Sequence, residues 1–115
     1  MNCRPKACHL TSVHSRDDIR IFVKECRTLA EAGYDVNLVV ADGKGDAVVD
    51  GVRVFDVGAS KGRLSRIFGA TGRVLRKAIQ IDADIYHFHD PELVPVGLKL
   101  KGRGKVVIFD AHEDL

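Results

Sequence analysis

The sequence predicts an α/β fold in which helices cover both faces of a parallel sheet, a Rossmann-like three-layer arrangement. Short apolar runs alternate with segments of helical periodicity along the whole chain. The final run, KVVIFDAH, is apolar enough for a strand that is covered on both faces. With 115 residues, 45% of them hydrophobic and 30% charged, the chain is expected to form a single globular domain over residues 1–115.

The first half of the chain reads as strand, helix and strand. KACHLTS, residues 6–12, predicts the first strand, and SRDD, residues 15–18, has the spacing of a capping box that opens a helix. Gly33 is placed to end that helix, and the β-branched segment YDVNLVVA at 34–41 predicts the second strand. The helix has one apolar stripe at helical intervals, formed by Ile19, Phe22, Val23, Cys26, Leu29 and Ala30.

The middle of the chain predicts a small β-hairpin and a second helix. Asp50 and Gly51 form the turn between two short β-branched runs. The segment ASKG then leads into a helix in which Gly69 and Gly72 indicate a kink or a close contact. Its predicted inner face consists of Leu64, Ile67, Phe68, Thr71, Val74, Leu75 and Ala78.

The last third predicts a strand, a helix and a final strand. ADIYHFHD is the strand, and Pro91 is placed to open the helix because it has no N–H to lose there. After the final strand KVVIFDAH the chain stops at HEDL, without a closing helix. We therefore expect the chain to be a fragment of a longer polypeptide.

Composition narrows the possible functions. A net charge of +2 does not favour a nucleic-acid partner, and no apolar run has the length of a signal peptide or a membrane span. The three cysteines, Cys3, Cys8 and Cys26, are odd in number and unpaired in spacing. They are expected to be reduced thiols, with Cys8 and Cys26 buried, which indicates a cytoplasmic location.

Polar residues collect where three of the predicted strands end, and parallel strands bind ligands beyond their carboxyl ends. Four of the five histidines belong to these ends, whereas His9 lies inside the first strand and is expected to pack in the core. The three groups are Ser12, His14, Ser15, Arg16 and Asp17 after the first strand, His87, His89, Asp90 and Glu92 at the end of ADIYHFHD, and Asp110, His112, Glu113 and Asp114 after the last strand.

Several of these residues have a structural interpretation beside the functional one. His87 is expected to lie inside the strand and to form a hydrogen bond under a helix, while Asp90 either caps the following helix or belongs to a site. Glu113 and Asp114 could be solvated loop charges. A metal site built on HFHD and HED is not favoured because the spacing is loose for zinc. The turn TSVHSRDD lacks the glycines of a dinucleotide-binding motif, so no cofactor is predicted.

Three segments together resemble the N-terminal domain of retaining GT-B glycosyltransferases of family 4. They are HLTSVHSRDDIRIFVKECRTLAEAGYDVNLVV, GVRVFDV and ADIYHFHDPELVPVGLKLKGRGKVVIFDAHEDL, and they cover nearly the whole chain. The resemblance implies the acceptor-side half of an enzyme that moves a sugar from a nucleotide-sugar donor to a saccharide or lipid-linked acceptor. It implies polysaccharide or glycoconjugate biosynthesis, with a C-terminal donor-binding domain that is missing from this chain.

The resemblance also implies roles for individual residues. His89 matches the catalytic position near the transferred sugar, and Asp90 and Glu92 flank it. His112 and Glu113 match the segment that faces the acceptor and the cleft. The loop His14, Ser15, Arg16 and Asp17 matches a segment in which many relatives bring a glycine pair to the donor phosphates; these glycines are missing here, so acceptor contact is the expected role. No metal or bound cofactor is implied.

A basic block distinguishes the second helix. No acidic residue occurs between Val57 and Ile81, and a helix carrying Arg73, Arg76 and Lys77 beside an apolar face could contact anionic lipid headgroups. That surface would place the protein at the inner face of the membrane. The other interpretation is the solvated outer face of an ordinary helix.

A second class of function remains open. The alternation of strands and helices also fits a stand-alone binding or regulatory module of the flavodoxin or receiver type. A receiver needs an acidic cluster after its first strand and a lysine after its last. Asp17 and Asp18 are present, but no lysine follows FDAHED.

Overall fold

A computed structural model describes residues 5–12, 20–59, 61–88 and 90–109 of the chain. Its six strands form one sheet in the order β3-β4-β2-β1-β5-β6, in which every neighbouring pair is parallel except the β3-β4 hairpin. The predicted α/β fold with a mostly parallel sheet and a small hairpin is therefore confirmed. The strands are β1 (Lys6–Leu10), β2 (Asp35–Val40), β3 (Ala47–Val49), β4 (Val52–Asp56), β5 (Ile85–Phe88) and β6 (Val106–Phe109).

Helices follow β1, β4 and β5, whereas β2 leads to β4 through β3. Helix α1 (Arg20–Glu31) follows β1, and α2 (Arg63–Ser65), a π-helical segment (Arg66–Ala70) and α3 (Thr71–Ile81) follow β4. A 3₁₀ turn (Pro91–Leu93) and α4 (Val94–Gly102) lie between β5 and β6. Pro91 opens this last helical stretch, as predicted.

The register of the strands divides the core into two layers because successive side chains point to opposite faces of a sheet. One face packs under α3 and α4 and contains Cys8, Leu10, Val39, Tyr86, Phe88, Val74, Ala78, Ile81, Val96 and Leu100. The other face packs under α1 and contains Cys26, Val36, Leu38, Val40, Val52 and Val54. Helices on both faces were the arrangement that the sequence predicted.

Two predicted turns have the backbone that their residues require. Asp50 and Gly51 in the hairpin have φ angles of 51° and 82°, a left-handed pair that matches the twist of the strands. Gly33, just after α1, has a φ angle of 98°, which favours glycine at the end of a helix.

Tyr86 ties the end of α3 to the beginning of β5. Its fully buried hydroxyl donates to the carbonyl oxygen of Ala78 at 2.6 Å and accepts the N–H of Ala83 at 2.9 Å. Burial raises the pKa of the Tyr86 hydroxyl, so it stays protonated and keeps both bonds.

The two cysteines that the structure describes are buried thiols, as predicted. Burial raises the pKa of the Cys8 thiol far above its ordinary value, and the neighbouring Cys26 raises it further. A thiol held in its protonated form is a poor nucleophile, so Cys8 is a packing residue.

The beginning of the second helix differs from its prediction. Leu64 and Phe68 were expected on the inner face, but 70% and 79% of their surfaces are exposed, whereas Val74 and Ala78 are buried as predicted. The π-helical segment Arg66–Ala70 explains the difference. Its wider turn shifts the helical register, so that Leu64 before it and Phe68 within it face a different direction from the inner face of α3.

The last strand also differs from its prediction. β6 was expected to be covered on both faces, but Val106, Ile108 and Phe109 are all exposed. β6 is the outer strand of the sheet, and among the described helices only α4 packs on it, from one side. Although β6 is apolar in sequence, most of its side chains are exposed in the described part of the chain.

None of the helices in the described ranges combines the length and the apolar character that crossing a lipid bilayer requires.

Candidate functional site

The order of the strands reverses between β1 and β5. From β1 the chain moves outward to β2 and β4, and it then returns to place β5 on the other side of β1. Counted in chain order, the five parallel strands lie as 3-2-1-4-5. In doubly wound sheets the crevice at such a switch point, outside the carboxyl ends of the strands, is where ligands bind.

A buried carboxylate occupies this switch point. Oδ2 of Asp90, just after β5, accepts hydrogen bonds from Oγ1 of Thr11 and from the backbone N–H of Ser12, both at 2.8 Å. Only 4% of the surface of Asp90 is exposed. The carboxylate therefore joins the carboxyl end of β5 to that of β1.

A second carboxylate strengthens this junction. The hydroxyl of Ser12 donates to Oε2 of Glu92 at 2.6 Å, and Glu92 is only partly buried. We name Thr11, Ser12, Asp90 and Glu92 the carboxyl-end cluster. The sequence predicted that Ser12, Asp90 and Glu92 would meet at one edge of the sheet, and these three residues do.

Local backbone geometry explains how Asp90 reaches β1. Asp90 is extended, with φ −76° and ψ 120°, as expected for a residue that precedes proline. It occupies the position before the 3₁₀ turn, but its side chain makes no capping hydrogen bond. The interpretation of Asp90 as a helix cap is therefore wrong: its side chain bonds to β1 instead.

Thr11 was not singled out from the sequence. Its N–H donates to the carbonyl oxygen of Val39 at 3.0 Å, which extends the β1-β2 pairing by one residue and fixes the direction of its side chain. The available signal was a pair of hydroxyl residues, Thr11 and Ser12, directly after a buried apolar strand.

Two histidines lie inside the sheet behind this cluster. His9 in β1 and His87 in β5 are directly opposite each other, with ring centroids 4.9 Å apart and an angle of 47° between the planes. His9 is buried, which confirms its predicted interior position, and His87 is inside its strand as expected.

Most of the other predicted site residues lie outside the described part of the chain. These are His14, Ser15, Arg16, Asp17, His89, His112 and Glu113. The strands that lead to them are neighbours, since β1, β5 and β6 lie side by side and Phe109 pairs with Phe88 at the same end of the sheet. The common edge on which the prediction depends is therefore present.

The three basic residues proposed for membrane or anion contact do not form one exposed surface. The guanidinium of Arg73 donates to the carbonyl oxygens of Val57 at 2.7 Å and Gly58 at 3.1 Å. Nζ of Lys77 lies 5.3 Å from the centroid of the Phe55 ring. Of the three, Arg76 is the exposed one.

A third carboxylate organises a loop at the same edge of the sheet. Asp56, at the end of β4, accepts the backbone N–H groups of Gly45, Gly58 and Gly43 at 2.8, 2.8 and 3.1 Å. Burial opposes its ionisation, but these three donors outweigh burial and lower the pKa of Asp56. The loop after β2 is thus held against the end of β4.

Within residues 5–12, 20–59, 61–88 and 90–109, no group of three or more histidine, cysteine, aspartate or glutamate side chains is arranged to hold a metal ion. The polar side chains of the carboxyl-end cluster are two carboxylates and two hydroxyls.

The chain matches no protein-family model, and comparison with curated proteins and with solved structures gave no match either.

Proposed function

We propose that this chain is the acceptor-side domain of a retaining glycosyltransferase of the GT-B type. The observation that carries the proposal is the buried Asp90 carboxylate, which joins β1 to β5 at the switch point of the sheet. The resemblance in sequence supports it because its most specific segment, DIYHFHDPEL, contains this carboxylate. The enzyme would work in the cytoplasm.

The chemistry of the cluster suits a saccharide acceptor. Glycosyl transfer requires an acceptor hydroxyl held in a fixed position and stabilisation of the charge that develops on the donor. Glu92, partly exposed beside Ser12, can accept a hydrogen bond from such a hydroxyl. In the proposal His89, next to Asp90, is the catalytic residue, the nucleotide sugar is a substrate and no cofactor is needed.

The strand order favours this proposal over the stand-alone module. Flavodoxin-like and receiver-like sheets have the order 2-1-3-4-5, with one strand beyond the first on that side. This sheet has 3-2-1-4-5, with two parallel strands beyond the first.

The exposed outer strand supports a partner domain. Val106, Ile108 and Phe109 leave apolar surface on β6, whose outer edge pairs with no strand in the described part of the chain, and such edges are normally covered or protected. In the proposal the rest of the enzyme, with its donor-binding domain, contributes to covering this strand.

A binding and turnover experiment tests the proposal. The chain alone should bind saccharide acceptors, with amide NMR shifts at Ser12, Glu92 and their neighbours. Joined to its donor-binding domain, it should transfer sugar from a nucleotide-sugar donor. His89→Ala should lower kcat by about 10²–10⁴-fold, the usual range for a general acid or base. Lys99→Gln, an exposed change on α4, is the control.

Two results would count against different parts of the proposal. Full turnover by the His89→Ala enzyme would remove the catalytic role of that residue. Failure of every nucleotide sugar to support transfer, together with the absence of acceptor binding by the chain, would remove the glycosyltransferase itself.

Contact with a membrane belongs to the same proposal as a route to lipid-linked acceptors. Leu64 and Phe68 are one helical turn apart and largely exposed, on the stretch that has no acidic residue. Exposed apolar side chains among basic residues fit the boundary between anionic headgroups and acyl chains.

Liposome co-sedimentation tests this contact. Leu64→Ser with Phe68→Ser, and separately Arg76→Glu, should reduce pelleting with anionic vesicles. Leu98→Ser is the matched control, because Leu98 is 65% exposed on α4, away from the basic block. Equal pelleting of all variants would contradict membrane contact. Arg73 is left unchanged because its guanidinium bonds to the β4 loop.

A further inference from the structure

A cavity lies at the opposite end of the sheet from the carboxyl-end cluster. It has a volume of about 250 Å³ and lies between α3 and the beginnings of β1, β2 and β4. We name it the amino-end cavity. The residues that line it include Lys6, Asn37, Arg53, Phe55, Lys77 and Gln80.

The charge of the cavity is predominantly positive. Arg53 is neutralised by Asp35, to which its Nη2 donates at 3.0 and 2.9 Å. Lys6 donates to the carbonyl oxygen of Ile81 at 3.2 Å, which uses one of its three ammonium hydrogens. Among the described residues, neither Lys6 nor Lys77 has an ion pair with a carboxylate. Lys6 and Lys77, whose Nζ lies 5.3 Å from the centroid of the Phe55 ring, are therefore the two cations of the lining that have no carboxylate partner among the described residues.

A buried amide lies beside these charges. Asn37 is fully buried on the sheet face that packs under α3 and α4, and it lines the cavity. Its Oδ1 has no hydrogen-bond partner in the described part of the chain. Its Nδ2 makes only long bonds, 3.4 Å to the carbonyl oxygen of Ala7 and 3.5 Å to that of Asp35.

An acceptor without a donor is unfavourable in a protein interior, and buried polar groups normally have partners. An apolar residue at position 37 would continue the layer formed by Cys8 and Val39. The amide therefore leaves hydrogen-bonding capacity unused at the wall of the cavity.

We propose that the amino-end cavity binds a small phosphate monoester that also carries a hydroxyl group, such as a monosaccharide phosphate. The phosphate lies between Lys6 and Lys77, since a dianion suits two ammonium groups better than a carboxylate does. The hydroxyl donates to Oδ1 of Asn37, and the carbon skeleton packs on Phe55. The volume lies just below the range of about 300–1,000 Å³ typical of drug-sized ligands, which suits a small phosphate ester.

This site is independent of the proposed acceptor site, because it shares no residue with the carboxyl-end cluster and its Lys6 begins β1, the strand whose opposite end leads to Thr11 and Ser12. Its failure would leave the glycosyltransferase proposal unchanged, and the reverse also holds.

Amide NMR titration of the chain tests the inference with four probes: glucose 6-phosphate, inorganic phosphate, D-glycerate and glucose. Glucose 6-phosphate should bind with a Kd of about 1 mM or tighter and should shift the amides of Asn37, Arg53, Lys77 and Gln80. Inorganic phosphate, D-glycerate and glucose each lack part of the required chemistry and should bind at least about tenfold more weakly.

Two variants identify the contacts. Lys77→Gln and Asn37→Val should each weaken glucose 6-phosphate about tenfold, whereas Lys99→Gln, an exposed lysine on α4, should leave binding unchanged. The inference would be overturned by the absence of saturable shifts at the four amides. Equal binding of inorganic phosphate, or unchanged affinity in Asn37→Val, would overturn it as well.

Discussion

The two ends of the central strands carry polar residues for different reasons. At the carboxyl end, Asp90 and Glu92 bond to Thr11 and Ser12, so that each of these four residues has a protein partner. At the amino end, lysines face a cavity beside a buried amide oxygen that has no partner within the described ranges. One end is held together by its own side chains, and the other has hydrogen-bonding capacity left over.

The two ends of the sheet affect the stability of the folded chain in different ways. A cluster whose members satisfy each other fixes the loops that carry neighbouring residues, and removing one member leaves buried donors without partners. In a cavity with an unsatisfied amide, a bound ligand can supply the missing hydrogen bond. Without the ligand, the unsatisfied amide lowers the stability of the folded chain. Substitutions at the two ends should therefore change stability in opposite directions.

The largest expected effect is at Asp90. Asp90→Ala leaves the buried hydroxyl of Thr11 and the buried N–H of Ser12 without the acceptor they share. We expect the free energy of unfolding to fall by about 2–4 kcal/mol. Urea unfolding followed by circular dichroism measures the change.

Asp84→Ala is the control from the opposite end of the same strand. Asp84 also accepts a backbone N–H, that of Lys6 at 2.9 Å, but it is exposed to water. Its removal should cost less than about 1 kcal/mol. Equal losses in the two variants would mean that burial of Asp90 does not distinguish the two ends.

The sequence was informative about the carboxyl end because its polar residues come immediately or soon after apolar strand segments. Ser12, Asp90 and Glu92 follow apolar runs in this way, and parallel strands bring such segments to one edge. The strand and helix pattern and the turn at Asp50 and Gly51 could be predicted for the same reason, since each depends on neighbouring residues.

The amino-end cavity could not be predicted in this way. Its residues come from three strands and a helix, and its polar residues are spread from Lys6 to Gln80 without forming a motif in the sequence. Only the register of β1, β2 and β4, which places Cys8, Asn37 and Arg53 on one face, brings them together. Local periodicity also missed the exposure of Phe68, because nothing in the pattern marked the π-helical segment.

The next largest effect is expected at Gly97, where α4 presses on β5 behind the carboxyl-end cluster. A Cβ atom there would lie 2.6 Å from Cε1 and 2.8 Å from Cζ of Phe88. Gly97→Ala should therefore lower the free energy of unfolding by about 1–3 kcal/mol through overpacking.

Gly102→Ala in the same helix is its control, because a Cβ atom at Gly102 meets nothing within 4 Å. That change should be neutral or slightly stabilising, since alanine favours helix more than glycine. Thermal unfolding of both variants measures the effect, and a stable Gly97→Ala protein would contradict the close approach of α4 to Phe88.

A smaller effect of opposite sign is expected at Asn37. Asn37→Val removes the unsatisfied Oδ1 and extends the apolar layer between Cys8 and Val39. In the absence of ligand it should raise the free energy of unfolding by about 1 kcal/mol. Urea unfolding in phosphate-free buffer measures this. A loss of stability would mean that the long bonds of Nδ2 matter more than the unsatisfied oxygen, and it would weaken the comparison between the two ends.

The smallest expected effect is the loss of stability at the carboxyl end when the pH is lowered, and the titration of Asp56 measures it. Its pKa is lowered below the ordinary value of 3.8 because the N–H donors of Gly45, Gly58 and Gly43 outweigh burial. A carboxylate with a lowered pKa in the folded state contributes stability that is fully present above the unfolded value and is lost as pH falls through the folded value. Amide NMR should therefore show the three glycine N–H groups titrating together with a midpoint below 3.8.

Asp56→Asn should abolish that titration, while the amides around the amino-end cavity follow a separate curve in both proteins. A midpoint at or above 3.8 would mean that burial, rather than the three donors, dominates at this carboxylate.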